Sequence, residues 1–427
     1  MSKKVLIICY YWPPAGGPGV QRWLKFVKYL PEFGIDPIVY VPENPSYPLI
    51  DDSLNQEVLE GVTVLKRPII EPYSWASALS RKQTKSISAG IIPKESKQSI
   101  VQRMMLYMRG NFFIPDARVL WVKPSIKFLK NYITDNGIET IITTGPPHSM
   151  HLIGLGLKKS LGLRWITDFR DPWTTIGYHD KLKMTQRTQE KHRRLEKIVL
   201  DSCDQIIVTS PTTAKTFKKI TATPIEVITN GFDDESIPKT KLDLSFTISH
   251  IGSLLSDRNP TVLWEAIAEL ATEHADLKDA LRIKLVGKVS EDVEISIRRA
   301  GLGDHLELVG YVSHKDALRL QREARLLLLI EIDAEITRGI IPGKIFEYLA
   351  AERPILGIGP RDADVAKIIT DTNSGTYCLY TDKEKIKSFI LNEFTSPISS
   401  NTLTNRKIIS KYHRKTLTSQ LSNILLK

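Results

Sequence analysis

Cysteine is scarce in this sequence: three in 427 residues, Cys9, Cys203 and Cys378. They are scattered, odd in number and form no C-x-x-C pair. That excludes a disulfide framework and leads to the expectation of a reducing, cytoplasmic compartment. Long apolar runs are absent too, since no stretch approaches 18 residues, so no membrane-spanning helix is expected. The opening MSKKVLIICYYWPP has only a short apolar run, broken by Pro13-Pro14, and no small-residue cleavage site, so it does not read as a signal peptide. Several catalytic spellings are missing. No G-x-S-x-G elbow exists, which argues against an α/β-hydrolase. GIIPGK (339–344) is one residue short of a P-loop and lacks its Ser/Thr. His148 and His151 stand three apart with no acidic or Cys ligand beside them, so no metal site is expected there.

What is present is ordinary for a globular chain, 42% hydrophobic and 25% charged, and the length suggests two domains. The net charge of +11 is lopsided: residues 1–232 hold 32 Lys and Arg against 20 Asp and Glu, and the remainder 27 against 28. A basic first half fits nucleic acid, an anionic membrane surface or an anionic substrate; its plain alternative is a solvated basic face. Nucleic acid ranks last, because no recognition motif appears and aromatics are not interleaved with the basic residues.

Apolar strand-like runs alternate with helical patterns along the chain, beginning with KVLIICYY (4–11) and a helix over 20–30. That is the mark of βαβ units and parallel sheets. The expectation is an α/β fold of two doubly wound, Rossmann-like domains facing a cleft. The first spans 1–232. A polar linker follows (233–245), then a second domain (246–400) and a basic last segment ending in a helix (401–427). Residues 66–118 read as a basic, partly helical insertion that faces a membrane or an acceptor, or else as a surface excursion.

Five segments carry candidate chemistry. In PPAGGPGVQR, Gly16 and Gly17 let the backbone approach a ligand ahead of a helix start; alone, the loop reads equally as a tight strand–helix turn. TTGPPHSMH places His148 beyond a strand, where it contacts a substrate hydroxyl or phosphate, or merely packs. DFRDPW ends another strand; Asp171 or Arg170 holds an acceptor hydroxyl or phosphate, unless the pair only shapes its loop. HIGSLLSDRNP repeats the strand–glycine-loop–helix arrangement, with Arg258 as a diphosphate clamp. In GIIPGKIFEYLAAERPIL (339–356) a Gly/Pro loop enters a helix whose amino end suits a diphosphate, with Glu347 one turn in to take ribose hydroxyls. Asp362-Ala363-Asp364 spells D-x-D, but it opens a helix, where acids cap and complement the dipole.

Together these segments, with ITNGFDD (228–234) and LVGYVSH (308–314), resemble the retaining family 4 glycosyltransferases of the GT-B fold over nearly the whole chain. The resemblance implies a nucleotide-diphosphate-sugar donor held by the second domain (246–400), an acceptor bound by the first (1–232), a C-terminal helix (401–427) that crosses back to the first, no other cofactor and no metal. Glu347 would bind the ribose, and the backbone around Tyr311 and Val312 the base. Gly252, Ser253, Ile341, Pro342 and Gly343 would line the donor, with Arg258 and Lys344 at the diphosphate. Gly16, Gly17 and Arg170 would form the acceptor or phosphate loop, and His148 and Asp171 would orient the acceptor. Two departures stand out. Many members carry E-x7-E with Glu347 as second acid, but Gly339 occupies the first position. Many also have a basic residue where Asn259 follows Arg258.

The expected activity is transfer of a hexosyl unit to a lipid-linked or oligosaccharide acceptor in surface glycan synthesis. The expected place is the cytoplasm, with peripheral contact at the inner membrane face. The missing first acid motivates an alternative, a non-catalytic subunit that binds nucleotide or membrane.

Overall fold

Runs such as VLII (5–8) and LLLLI (326–330) are apolar at every position, which suits strands covered on both faces and hence parallel sheets flanked by helices. The computed structural model describes residues 2–71, 100–175, 182–233, 240–396 and 406–427. Six residues of the expected linker (234–239), much of the insertion (72–99) and the expected boundary at 400/401 therefore lie outside the described residues.

In the first half the strands are β1 (Lys3–Ile8), β2 (Ile35–Pro42), β3 (Thr63–Arg67), β4 (Thr140–Gly145), β5 (Arg164–Phe169), β6 (Gln205–Val208) and β7 (Ile225–Val227). The helices between them are α1 (Pro18–Tyr29), α2 (Ile100–Phe112), α3 (Val122–Asn136), α4 (Ser149–Leu161), α5 (Gln186–Ser202) and α6 (Pro211–Lys218). All seven strands run parallel in the order β3-β2-β1-β4-β5-β6-β7. Local signals set the element ends. Ser210 caps α6 by accepting the Thr213 N–H at 3.2 Å, and Gly137 and Gly162 stop α3 and α4 in the left-handed conformation.

The second sheet orders its six parallel strands β10-β9-β8-β11-β12-β13. They are β8 (Phe246–Ile251), β9 (Leu281–Val286), β10 (Leu306–Gly310), β11 (Leu326–Ile330), β12 (Ile355–Ile358) and β13 (Gly375–Cys378). Their helices are α7 (Thr261–Glu273), α8 (Ala275–Ala280), α9 (Glu291–Arg299), α10 (His314–Glu323), α11 (Lys344–Ala351), α12 (Asp364–Asp371) and α13 (Lys383–Thr395), followed by α14 (Arg406–Ile409) and α15 (Arg414–Leu426). Pattern reading passes over β3 and β13, both short edge strands with half-exposed positions, though it finds β7 and β10 at the opposite edges.

Two units result, residues 1–229 with 417–427, and residues 230–416. The chain's last helix belongs mostly to the first unit. Leu417, Leu421, Ile424 and Leu425 of α15 are buried with Val5, Ile7 and Trp23. Lys3 Nζ and Arg164 Nη2 donate to the terminal carbonyls of Leu425 (2.6 Å) and Ile424 (2.8 Å), where the negative end of a helix dipole favours cations.

Each sheet reverses its strand order once, between β1 and β4 in the first unit and between β8 and β11 in the second. Ligands of such sheets bind beyond the carboxyl ends of the strands at that switch. The segments PPAGGPG and PPHS follow β1 and β4; IGSL and Glu331 follow β8 and β11. The Asp362-Ala363-Asp364 run does open α12, with one correction. The capping residue is Ala363, no side chain makes the cap hydrogen bond, and Asp364 supplies the acid in the first turn.

Candidate active site

In the second unit, β8 delivers buried His250 and then Gly252, whose φ of +121° a side chain rarely tolerates. A Cβ on Gly252 would meet Lys344 Nζ at 2.8 Å, so only glycine leaves that ammonium its place. Lys344 is the first residue of α11, with Gly343 as its cap. His250 fixes the lysine from below. Its Nδ1 donates to the Leu328 carbonyl (3.0 Å), which leaves Nε2 to accept from Lys344 Nζ at 3.3 Å. Burial and the Lys344 charge push the His250 pKa well below the usual histidine range, so the ring is neutral. Burial also pushes Lys344 down to about 8; Glu331 pulls it up, and Arg258 adds to the depression.

Arg258 closes the other side. Its Nη2 lies 3.7 Å from Glu331 Oε2, and its side chain stays 28% accessible. Asn259, which stands where many family members carry a basic residue, is turned into the fold. It accepts from Trp264 Nε1 (2.9 Å) and donates to Ser296 Oγ (2.8 Å), which anchors the short turn carrying Arg258. Glu347 is half-buried on the first turn of α11 and accepts from Gln321 Nε2 at 2.8 Å. Tyr348 Oη accepts from the Ile251 N–H (3.1 Å), tying α11 to the end of β8. Ser253 is exposed, and Ile341, Pro342 and Gly343 are half-buried around the helix start. Tyr311 is exposed beyond β10, while Val312 packs against the core under α11. The donor-side residues thus gather at the β8/β11 switch, with Tyr311 and Val312 at the end of β10.

In the first unit the DFRDPW segment divides its labour. Asp168 is fully buried and accepts from Arg22 Nη2 (2.8 Å), Trp23 Nε1 (2.7 Å) and Thr144 Oγ1 (2.8 Å). Arg22 beside it holds its carboxyl below the usual carboxylate range in spite of burial. Arg170 is used by the chain itself: it donates to the carbonyls of Gly19 (3.1 Å) and Pro146, joining the loops after β1 and β4. Asp171 is half-buried and makes no hydrogen bond among the described residues. Burial pushes its carboxyl up against the pull of Arg170. His148 is buried, its ring stacked on Trp173 at 5.1 Å with 1° between planes. It borders a cavity of about 40 Å³ shared with Arg109, Asp116 and His192. Gly16 gives its N–H to the Leu49 carbonyl (3.0 Å), whereas Gly17, at φ 92°, caps α1. Among the described residues no three His, Cys, Asp or Glu side chains gather as a metal site, and no helix is long and apolar enough to cross a membrane.

Residues 91–236 match Glycosyltransferase Family 4. That stretch, about a third of the chain, is therefore similar to the family 4 glycosyltransferases. Solved structures extend the likeness over the full length. Sucrose-phosphate synthase from Thermosynechococcus elongatus aligns with a TM-score of 0.60 at 13% identity, covering 99% of this chain and 98% of that one. Anabaena HepE in complex with UDP gives 0.61 at 12% identity, with 99% of each chain covered. WaaG, a glycosyltransferase involved in lipopolysaccharide biosynthesis, gives 0.54 at 13%, with 98% and 99% covered. No curated protein sequence matches. Family match and GT-B fold agree on a glycosyltransferase.

In this glycosyltransferase, Glu331, Gln321 and His250 escape a reading by sequence. Glu331 sits at the end of an apolar strand, where a polar residue ordinarily signals only that the strand is over. Gln321 is 1% accessible on a helix rich in charge, and only its missing charge sets it apart. His250 did stand in a candidate segment, one residue inside the strand.

Proposed function

We propose that the protein is a retaining, metal-independent glycosyltransferase that moves a hexosyl unit from a nucleotide-diphosphate-sugar to a lipid-linked or oligosaccharide acceptor. The observation that carries this reading is the convergence of Lys344 and Arg258 on the Gly252 loop at the β8/β11 switch. Breaking the bond between the anomeric carbon and the diphosphate oxygen leaves negative charge on the diphosphate. Two cations and the amino end of α11 stabilise that charge as it grows, the task a metal performs in other enzymes. The departing phosphate oxygen takes the acceptor's hydroxyl proton while the acceptor oxygen bonds to the same face of the sugar. Glu347, held by Gln321, takes the ribose hydroxyls. HepE, of like fold, is described in complex with UDP, which supports a nucleotide donor here. On the acceptor side, Asp171, with its free and upshifted carboxyl, and His148 are the orienting groups.

Arg258→Ala is expected to lose at least about tenfold in nucleotide release from the productive donor, the usual cost of a charged contact. Release assays across a panel of UDP-, GDP- and ADP-linked hexoses identify that donor first. Equal turnover by the variant contradicts the assignment; nucleotide binding with no release from any donor favours the non-catalytic subunit instead.

The membrane reading rests on α2. Leu106 buries one side of this helix against Leu182, while Met104, Tyr107, Met108 and Phe112 are exposed at helical spacing, with Arg103 and Arg109 among them and no acid. An exposed apolar stripe with basic flanks in a unit of excess positive charge suits an anionic bilayer surface at the cytoplasmic face. Co-sedimentation with anionic vesicles is expected to fall steeply in a Met108→Ser/Phe112→Ser variant. Binding by neither protein removes the membrane partner.

A further inference from the structure

Gly339 stands where the resemblance calls for an acid, and the nearby Glu335 does not replace it. Glu335 is 85% accessible in its side chain and pairs with Arg338 at 3.3 Å. A different carboxylate is already inside the site. Glu331 follows β11 directly, at the sheet's switch point, and its side chain is 4% accessible. Its backbone is clamped on both sides: its N–H donates to the Ile358 carbonyl (2.8 Å), and its carbonyl accepts from Tyr380 Oη (2.8 Å). Gly359 leaves room for it, since a Cβ there would lie 3.0 Å from the Glu331 Cβ. Yet Oε2 is buried and, among the described residues, accepts no hydrogen bond. The nearest cation is Arg258, at 3.7 Å. A buried carboxylate oxygen without a donor is costly, and such groups are retained where a ligand completes them.

We propose that Glu331 accepts a hydrogen bond from a hydroxyl of the donor's transferred sugar and so supplies the acid contact that Gly339 cannot. The inference rests on the donor reading given above. Charge decides which part of the donor Glu331 meets. Phosphate oxygens are repelled by a carboxylate and belong to Lys344 and Arg258. The part that faces Glu331 must donate hydrogen bonds; beside the diphosphate both the ribose and the hexose can do so, and with the ribose assigned to Glu347 the hexose remains. Glu331 also keeps Arg258 from folding away before the donor arrives, and that second effect has to be told apart from sugar contact.

The test compares wild type, Glu331→Gln and Glu331→Asp by calorimetry with the free nucleoside diphosphate, and by nucleotide release from the productive nucleotide-sugar. Glu331→Gln is expected to bind the nucleoside diphosphate within about threefold of wild type while turnover of the nucleotide-sugar falls about 100-fold, as for loss of a charged hydrogen bond made to the reacting group. Glu331→Asp is expected to recover part of the loss, since the carboxylate survives one methylene shorter. A deoxy-sugar donor that wild type and Glu331→Gln turn over equally identifies the hydroxyl. Equal loss of nucleoside diphosphate and nucleotide-sugar binding overturns the proposal in favour of Glu331 as a support for Arg258. Unchanged turnover in Glu331→Gln overturns it outright while leaving the glycosyltransferase reading intact. A wild-type protein that releases nucleotide from no donor overturns both.

Discussion

Replacing Lys344 with Met is expected to lower kcat/KM for the nucleotide-sugar by about 100- to 1,000-fold, the range seen when one preorganised donor to developing charge is removed. Lys344 is the ammonium nearest the helix start, and its position is fixed from three directions, by His250 Nε2, the Gly252 backbone and the first turn of α11. The wild-type pH profile carries the same signature. The free enzyme's Lys344 titrates at about 8 because it is buried. Only the protonated form attracts a diphosphate, so kcat/KM is expected to fall as pH rises through about 8, and the variant should lack that limb. In the donor complex the diphosphate stabilises the ammonium, so the limb in kcat lies at higher pH. Stability moves the opposite way. Between about 8 and the ordinary value of 10.5 the unfolded chain holds the lysine proton and the folded chain does not. Stability therefore rises with pH across that window, and below it the charged lysine is a burden on the fold. Lys344→Met is expected to melt at a higher temperature than wild type at pH 7, with the gap closing towards pH 10. A variant both inactive and less stable would point to a structural lysine.

Asp168→Ala is expected to destabilise the first unit by about 3–5 kcal/mol, measured by denaturant unfolding. Removing one partner of a buried ion pair leaves the other charge stranded. Here the stranded group is Arg22, 5% accessible, together with the indole N–H of Trp23 and the hydroxyl of Thr144. The pair joins α1 to the end of β5, directly under the loops that carry Arg170, Asp171 and His148. The acid limb follows from the direction of the shift. The folded pKa of Asp168 lies below its ordinary 3.8, so its contribution is complete above the ordinary carboxylate range. It is lost as pH falls through the depressed folded value. Asp168→Asn keeps the shape but loses the charge, so it should remove this acid dependence along with most of the stability. A loss under 1 kcal/mol would mean that Arg22 finds water or another acceptor when Asp168 is gone.

The second unit's site was far more legible than the first unit's. PGKIFEYLA holds its candidate chemistry in a contiguous stretch, because helix start, lysine and the acid proposed for the ribose all fall within one turn. Arg258 was readable from its place after a glycine loop. What could not be read was whatever depends on contacts across the sheet. Glu331 meets Arg258 from 73 residues away, and Gln321 reaches Glu347 across 26. In DFRDPW the sequence displays two acids and an arginine as neighbours. The fold separates them: Asp168 points down to Arg22, 146 residues distant, Arg170 spans two loops, and Asp171 makes no hydrogen bond among the described residues. Asp168 is still on β5, whereas Arg170 and Asp171 lie in the loop beyond Phe169, so a cluster of charge in sequence need not be a cluster in space. The two sheets themselves were legible because their central strands are apolar on both faces. Of the four edge strands, β7 and β10 were legible and β3 and β13 were not.

The most direct test of the account is a crystal structure of the protein with a nucleoside diphosphate bound. The account predicts the diphosphate within hydrogen-bonding distance of Lys344 Nζ and Arg258, at the amino end of α11, with the ribose hydroxyls on Glu347. Nucleotide bound elsewhere, with Lys344 still closed onto His250, would contradict it.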